Sequence, residues 1–274
     1  MPAMYIVGEL YNRRQDIHAL FGGQQQGGIS TPSQFPYVFL FTGDQGHAYG
    51  YRDGWHQDGL YYYTGEGQIG NQELKMGNKA VLDHQKNGKE LLLFQYEGIG
   101  LTRFVGQMEC VGYHDAERPD RDGNLRKVLV FELVPVKSVE ARVAQEPRAA
   151  AQIEDEAKRL SLTEILARTR QEKETQKTAT ERKKDYYERS EYLRLYTLKR
   201  AQGICEGCGQ PAPFLNKAGE PYLEVHNVRR LSDGGPDDPA WVVALCPNCH
   251  SRAHHGQDGK EFNDKLKDKG LSQG

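Results

Sequence analysis

The chain has 274 residues, and 36 Lys+Arg against 38 Asp+Glu leave it a formal charge of −2. That length allows two domains of ordinary size, and the balance excludes a chain-wide basicity that would announce nucleic acid, although phosphate contacts need only a local basic patch. The N-terminal stretch Met1–Gly8 lacks the charged region and apolar run of a signal peptide, and nothing approaches the roughly 20 apolar residues of a membrane span. Four of the five cysteines fall in paired knuckles and Cys110 stands alone, which is the usage of a reducing compartment and not of a disulfide scaffold. A soluble, cytoplasmic protein with no membrane partner is expected.

Up to about Val136 the sequence is rich in Gly, Tyr and short β-type runs: Tyr37–Thr42, Tyr61–Tyr63, Leu91–Tyr96, Arg103–Val105 and Val128–Val134. Turn formers separate them (Thr42–Gly46, Lys86–Gly88, Asp122–Asn124), as expected of an antiparallel barrel or sandwich. Asn78 to Gln85 reads as one short helix. Between Ser138 and Ala201 glycine vanishes and Ala, Glu, Lys, Arg and Gln dominate. Pro147 interrupts this stretch, Ile153, Leu160, Leu162, Ile165 and Leu166 give an apolar stripe, and the segment from Gln171 to Lys184 is nearly all polar. This composition predicts a helical linker with a solvated, charged face. Its Arg182, Lys183, Lys184, Arg189, Arg194, Lys199 and Arg200 could line a DNA path, while Leu193, Leu195, Tyr196 and Leu198 dock the last helix onto the C-terminal module. The expected division is 1–137, a linker at 138–190, and a second domain at 191–274, whose residues beyond Gln257 are polar and expected to fray.

In that second domain, Cys205-Glu-Gly-Cys208 and Cys246-Pro-Asn-Cys249 bracket the run Leu223–Leu231. Two such knuckles can place four thiolates around one structural Zn²⁺. His226 ends an apolar, strand-like run, and His250 and His254 lie four apart, so one helical face presents both. Two β-like segments around Pro221 to Leu231, then a helix from about Cys246, make a ββα unit clamped by zinc. Three histidines beyond what four thiolates require point to a second site, for a hard cation.

The motifs Cys205-Glu-Gly-Cys208, Tyr222-Leu-Glu-Val-His226, Leu231-Ser-Asp-Gly-Gly235 and Ala244–His250 resemble the HNH family of nucleases, in its four-cysteine zinc branch, over Tyr192 to Gly256. The resemblance implies that His226, His250 and His254 hold one catalytic divalent ion, Mg²⁺ or Mn²⁺, at the scissile phosphate. It places the general base directly after His226. Here that residue is Asn227, whose amide has no useful basicity near neutral pH. The family's usual asparagine before the third cysteine is also missing, with Trp241 near its place. Either the base comes from elsewhere (His255, His47), or this chain is an inactivated form of an active nuclease. A zinc ribbon that only binds DNA is the bland alternative.

In the first domain, Tyr49–Gly54 and Tyr61–Gly67 combine aromatics, a carboxylate and glycine turns. Two tyrosines can sandwich a planar base, and an aspartate can accept from cytosine N4; the bland alternative makes the tyrosines core staves. The order Ile6–Gly8, Tyr11–Arg13, Asp16–His18, Gln26–Ile29, Tyr51-Arg-Asp-Gly54 and Tyr63–Gly67 is similar to the SRA (SET and RING associated) domain, over about residues 5 to 136. That resemblance implies a twisted β-barrel or sandwich with few helices that binds DNA and flips a modified cytosine, with Tyr51 and Tyr63 as stacking rings and Asp53 reading the base edge. The loops from Gln24 to Gly28 and from Gly43 to His47 are candidates to enter the grooves.

The expected protein is thus α+β: an SRA-like reader, a charged helical linker and a zinc-clamped ββα-metal nuclease. Together the halves resemble bacterial modification-dependent restriction endonucleases acting on double-stranded DNA with 5-methyl- or 5-hydroxymethylcytosine. A homodimer would let two sites cut two strands. The competing class is a non-cleaving modified-DNA-binding protein whose ββα module is only a zinc platform, and a toxin or homing nuclease would need no base pocket.

Overall fold

A computed structural model describes residues 5–43, 52–136, 147–170, 177–228 and 239–271. The fold is α+β, and the chain divides into two compact units, one comprising the described residues up to Val136 with Lys177–Lys183, the other comprising the rest.

The first unit is built on one eight-stranded sheet. Its strands are β1 (Leu10–Asn12), β2 (Ile29–Ser30), β3 (Tyr37–Thr42), β4 (Gly54–Trp55), β5 (Tyr61–Thr64), β6 (Glu90–Gly98), β7 (Leu101–Pro119) and β8 (Leu125–Pro135). They run in the order β2-β3-β6-β7-β8-β5-β4, with β1 on β7. A π-helical segment Arg13–His18 leads into the turn α1 (Ala19–Phe21), and α2 spans Met76–Leu82. An all-antiparallel sheet was expected, but β3 and β6 pair in parallel. Period-2 alternation explains why that strand could sit there. Val38 and Leu40 enter one core with Leu91, Leu93, Tyr63 and Phe131, while Tyr37, Phe39 and Phe41 enter a second with Phe94 and Phe104. A strand apolar on both faces suits a parallel neighbour buried on both sides.

The 19-residue β7 pairs with β6 along its first half and with β8 along its second, and a bulge lies between Cys110 and Gly112. A bulge bends its strand and steepens the twist. The sheet curls so far that β5 meets β3 again, and among the described residues no ladder closes the gap. The Tyr63 hydroxyl donates to the Gly28 carbonyl at 2.7 Å. The Asp53 carboxylate accepts from Thr42 Oγ1 at 2.7 Å and from the Thr64 amide at 2.8 Å. Gly28 is required at this seam, because a Cβ there would stand 2.7 Å from the Tyr63 hydroxyl oxygen.

The second unit contains α3 (Pro147–Ala157), α4 (Leu162–Thr169), most of α5 (Ala179–Ala201), the two-stranded β9 (Glu224–Asn227) and β10 (Val242–Leu245), α6 (Pro247–His255) and α7 (Gly259–Leu271). Pro147 opens α3, where its missing N–H costs nothing. Ser161 and Glu164 form a capping box at α4. The apolar stripe is packed: Ile153 and Ile165 are buried with Tyr192 and Tyr196 of α5. Helix α5 runs unbroken through Ser190 and Glu191, where the linker was expected to end. Two further expectations are corrected. The partner of β9 is not a second segment before Leu231 but β10, paired with Val243 opposite His226. The described residues beyond Gln257 are not a frayed tail: α7 buries Phe262 and Leu266 in the core that holds Cys205, Cys246 and Cys249.

Candidate functional site

The four knuckle cysteines converge. Their sulfurs lie within 4.8 Å of one another, near the roughly 3.8 Å edge of a tetrahedron with Zn–S bonds of about 2.3 Å. Cys205 and Cys208 follow α5, Cys246 stands between β10 and α6 as the N-cap residue, and Cys249 sits in the first turn of α6. All are free thiols. Burial acts to raise the Cys205 thiol, but backbone N–H groups of Cys246, Cys208 and Gly207 outweigh it and bring it down to about 7. Burial and the neighbouring sulfurs push Cys249 up. Four thiolates in this space need a cation between them, and the donor set fits zinc. Cys110 lies in the sheet core of the first unit, its thiol donating to the Gly112 carbonyl, apart from this cluster.

His226, His250 and His254 form a second cluster, with ring nitrogens again within 4.8 Å. His226 comes from β9, and one face of α6 supplies the other two. The rings stand nearly perpendicular, at 74°, 82° and 80°, with centroids 4.8 to 5.2 Å apart. Nε2 of His250 and Nε2 of His254 are 3.2 Å apart, a separation at which two imidazoles share a proton or one cation. Glu224 lies two residues before His226 and therefore on the same face of β9. Its carboxylate accepts from His250 Nδ1 at 2.5 Å, which keeps the proton on Nδ1 and turns the Nε2 lone pair toward the cluster. Two or three imidazoles beside a carboxylate suit a divalent ion. Glu224 was within the recognised motif but had no expected role; its spacing from His226 was the available signal. Asn263 of α7, 2.8 Å from His226 Nε2, was missed because its segment read as polar tail.

Asn227 pairs with Val242. The pleat directs it and Val225 opposite to Glu224 and His226, and its Oδ1 is buried without a hydrogen-bond partner among the described residues. His255 is exposed at the end of α6, its ring 6.0 Å from that of His254. His47 lies outside the described residues.

In the first unit, a cleft of about 220 Å³ opens at the seam. Asp53, Tyr63, Phe41 and Tyr96 line it, with the backbone of Gly27–Gly28 and Gly65–Gly67. Tyr63 and Asp53 are thus brought together, while Tyr51 lies outside the described residues. Tyr63 is only 2 % exposed, with its ring in the core. Tyr96 was not anticipated. It sits in β6, and its hydroxyl meets the guanidinium of Arg13, which also lies 3.7 Å over the Phe41 ring and donates to the Gly27 carbonyl at 3.0 Å. Burial lowers Arg13 to about 10, so it stays charged and braces three walls of the cleft.

The basic residues expected along a DNA path are largely committed elsewhere. Arg182 grips the buried Glu132 and Arg194 grips Glu191. Arg200, 7 % exposed, binds Glu206 and the carbonyls of Pro239 and Val242. Lys183 and Lys199 donate to the carbonyls of Asp58 and Leu160. Guanidinium groups bound to buried carboxylates are not available to phosphates.

A family model described as ScoMcrA-like, SRA domain matches residues 7–158, more than half of the chain, and one described as HNH endonuclease matches residues 205–256. The Type IV methyl-directed restriction enzyme EcoKMcrA of Escherichia coli (strain K12) is 45% identical over 86 residues, 31% of this chain and 31% of that protein. Similar solved structures include the Type IV phosphorothioation-dependent restriction endonuclease ScoMcrA, 26% identical with a TM-score of 0.41, covering 98% of this chain and 63% of that one. They also include the modification-dependent TagI restriction endonuclease, 20% identical with a TM-score of 0.39, covering 93% and 80%. The chain spans less than a third of the curated relative it matches.

Proposed function

The chain belongs to the ScoMcrA-like SRA domain family and carries an HNH endonuclease domain, and from that premise we propose that it is a modification-dependent DNA endonuclease, reading with the first unit and cutting with the second. The observation that carries the reading is the pair of clusters on one ββα unit: four thiolates for a structural zinc, and three histidines for a catalytic divalent ion. That ion would act as a Lewis acid on the scissile phosphate and its leaving oxygen. The protein's part is to hold His226, His250 and His254 in place, with Glu224 fixing the tautomer of His250.

The position that the HNH resemblance gives to the general base is held by Asn227, whose amide cannot take a proton from water and whose side chain the pleat of β9 directs away from His226. We therefore propose that the chain cuts poorly as it stands, and this residue favours a second reading, a binding protein that does not cleave. For the reader, the seam cleft is proposed to take a flipped, C5-modified cytosine in duplex DNA. A volume of about 220 Å³ lined by aromatic walls and a carboxylate suits one planar base. A single methyl adds only about 1 kcal/mol by burial, so discrimination from one site is modest and two readers in a homodimer would sharpen it. The named relatives differ, one methyl-directed and one phosphorothioation-dependent; a cleft shaped for a base favours the former class of mark. Among the described residues no helix is long and apolar enough to cross a membrane.

The test is cleavage of matched 5-methylcytosine, 5-hydroxymethylcytosine, phosphorothioate and unmodified duplexes with Mg²⁺ or Mn²⁺, using the chain as given, Asn227→His and His250→Ala. Cutting of methylated duplex by Asn227→His and not by His250→Ala is expected. Equal cutting of all four duplexes would refute the reader assignment, and binding of methylated duplex with no cleavage by Asn227→His would establish the second reading.

A further inference from the structure

The asparagine on α7 lies beyond the residues that match the HNH family model, yet its side chain enters the histidine cluster. Asn263 is 9 % exposed and His226 is 5 % exposed. Its two side-chain heteroatoms are identified by their partners. A backbone carbonyl can only accept, so the atom facing the Val228 oxygen is the amide nitrogen Nδ2. The other atom is then Oδ1, which can only accept, and it lies 2.8 Å from His226 Nε2. His226 must therefore carry its proton on Nε2, and the lone pair that could serve an ion is the one on Nδ1.

We infer that Asn263 is the positioning residue of the three-histidine centre: it fixes the tautomer and ring plane of His226 while pinning the chain just past β9 through Val228. It does for His226 what Glu224 does for His250. The difference is that a neutral amide sets the tautomer without adding negative charge, whereas Glu224 raises ligand basicity as well. The placement of α7 makes this possible. Phe262, the residue before Asn263, packs in the core shared with Cys205, Cys246 and Cys249, and a Cβ on Gly207 of the first knuckle would lie 3.2 Å from its ring. Arg252 of α6 lies 4.6 Å over the same ring. One helical turn thus rests on the four-cysteine knuckle and orients a ligand of the other cluster. The inference rests on the reading that the three histidines hold a divalent ion.

The experiment uses the zinc-loaded full chain and Mn²⁺ as the probe, with binding followed by electron paramagnetic resonance and titration calorimetry. His250→Ala marks the contribution of the site. Asn263→Leu should weaken Mn²⁺ binding about 10- to 100-fold, the usual loss when an outer partner of a ligand is removed, with zinc content unchanged. Asn263→Asp keeps an acceptor for Nε2–H, removes the donor to Val228, and should bind Mn²⁺ far more tightly than the leucine variant. Nitrogen NMR of the metal-free chain should report His226 as the Nε2–H tautomer, and this tautomer should lose its dominance in Asn263→Leu. Mn²⁺ binding indifferent to residue 263, or an Nδ1–H tautomer in the unsubstituted chain, overturns the inference alone. Failure of the unsubstituted chain to bind Mn²⁺ in a manner sensitive to His250 overturns the metal-centre reading and the inference with it.

Discussion

Around β9 and α6, several of the clustered side chains are aimed by a neighbour. Glu224 sets His250, Asn263 sets His226, and the Cys246 amide donates to the Cys205 sulfur at 3.1 Å. In the curled sheet Arg13 braces the cleft walls, but two of the lining side chains are themselves structural. Tyr63 and Asp53 line it, and the same two side chains hold β3 to β5. On the proposed reading, one region keeps its structural core and its chemistry on different residues, while the other makes the same residues serve both. Substitution should therefore separate function from folding cleanly in the first case and only with care in the second.

The largest test of that contrast is zinc. Chelation or Cys246→Ser should release one zinc per chain by elemental analysis and unfold the second unit, a loss on the order of 10 kcal/mol of metal-coupled folding energy. The first unit has its own core and should keep its near-ultraviolet circular dichroism; its collapse would break the contrast. Next, Asn227→His should raise cleavage of methylated duplex by about 10² to 10⁴, the usual worth of a general base, with little change in melting temperature. An unchanged rate would show that the base does not stand after His226.

Smaller effects belong to the sheet. Tyr96→Ala should remove most of the preference for modified duplex, which is only about 1 kcal/mol for one buried methyl, leaving salt-sensitive binding in place. Preserved discrimination would take Tyr96 out of the pocket. Tyr63→Ala would open the core, so the informative change is Tyr63→Phe. It should cost about 1 kcal/mol in a denaturant melt through the lost hydroxyl contact, with binding weakened alongside. The smallest effect is a pH dependence at Glu132. Burial acts to raise its carboxyl, but hydrogen bonds from His114 and Arg182 outweigh this and hold it below the usual range. A depressed native value means stability that is present above the ordinary carboxylate range and lost as pH falls through the lowered one. An acid melt of Glu132→Gln should lack that slope.

The cysteines and histidines were legible because their information is local. A Cys-x-x-Cys knuckle and a four-residue histidine spacing constrain geometry within a turn or two. Strands β3 and β8 were legible because aromatic and β-branched runs mark them. The parallel pairing of β3 with β6 was not, since Tyr37 meets Glu90 across dozens of intervening residues. Strand β10 is an apolar run of four residues, Val242–Leu245, too short to declare its type. Tyr96 was visible as a strand residue, but its place in a pocket depends on how far the sheet curls. The helix that carries Asn263 did leave a trace: Phe262 and Leu266 lie four apart in an otherwise polar stretch, the mark of a one-sided helix.

The unclosed seam has a consequence for local opening. A sheet closed by a ladder opens only by breaking a row of backbone bonds together, which places its amides among the slowest to exchange with solvent. Here the contacts between β3 and β5 are made by side chains: the Tyr63 hydroxyl reaches the Phe41 carbonyl, Tyr61 bonds Thr42, and the Asp53 carboxylate bridges Thr42 and the Thr64 amide. At about 1 kcal/mol per bond, this line parts at far less cost than the β6–β7–β8 ladders, and Thr64 should exchange faster than amides in the middle of β8. The cleft lies along the same line. If the cleft takes a base as proposed, breathing there would make room for it without unfolding the rest of the sheet.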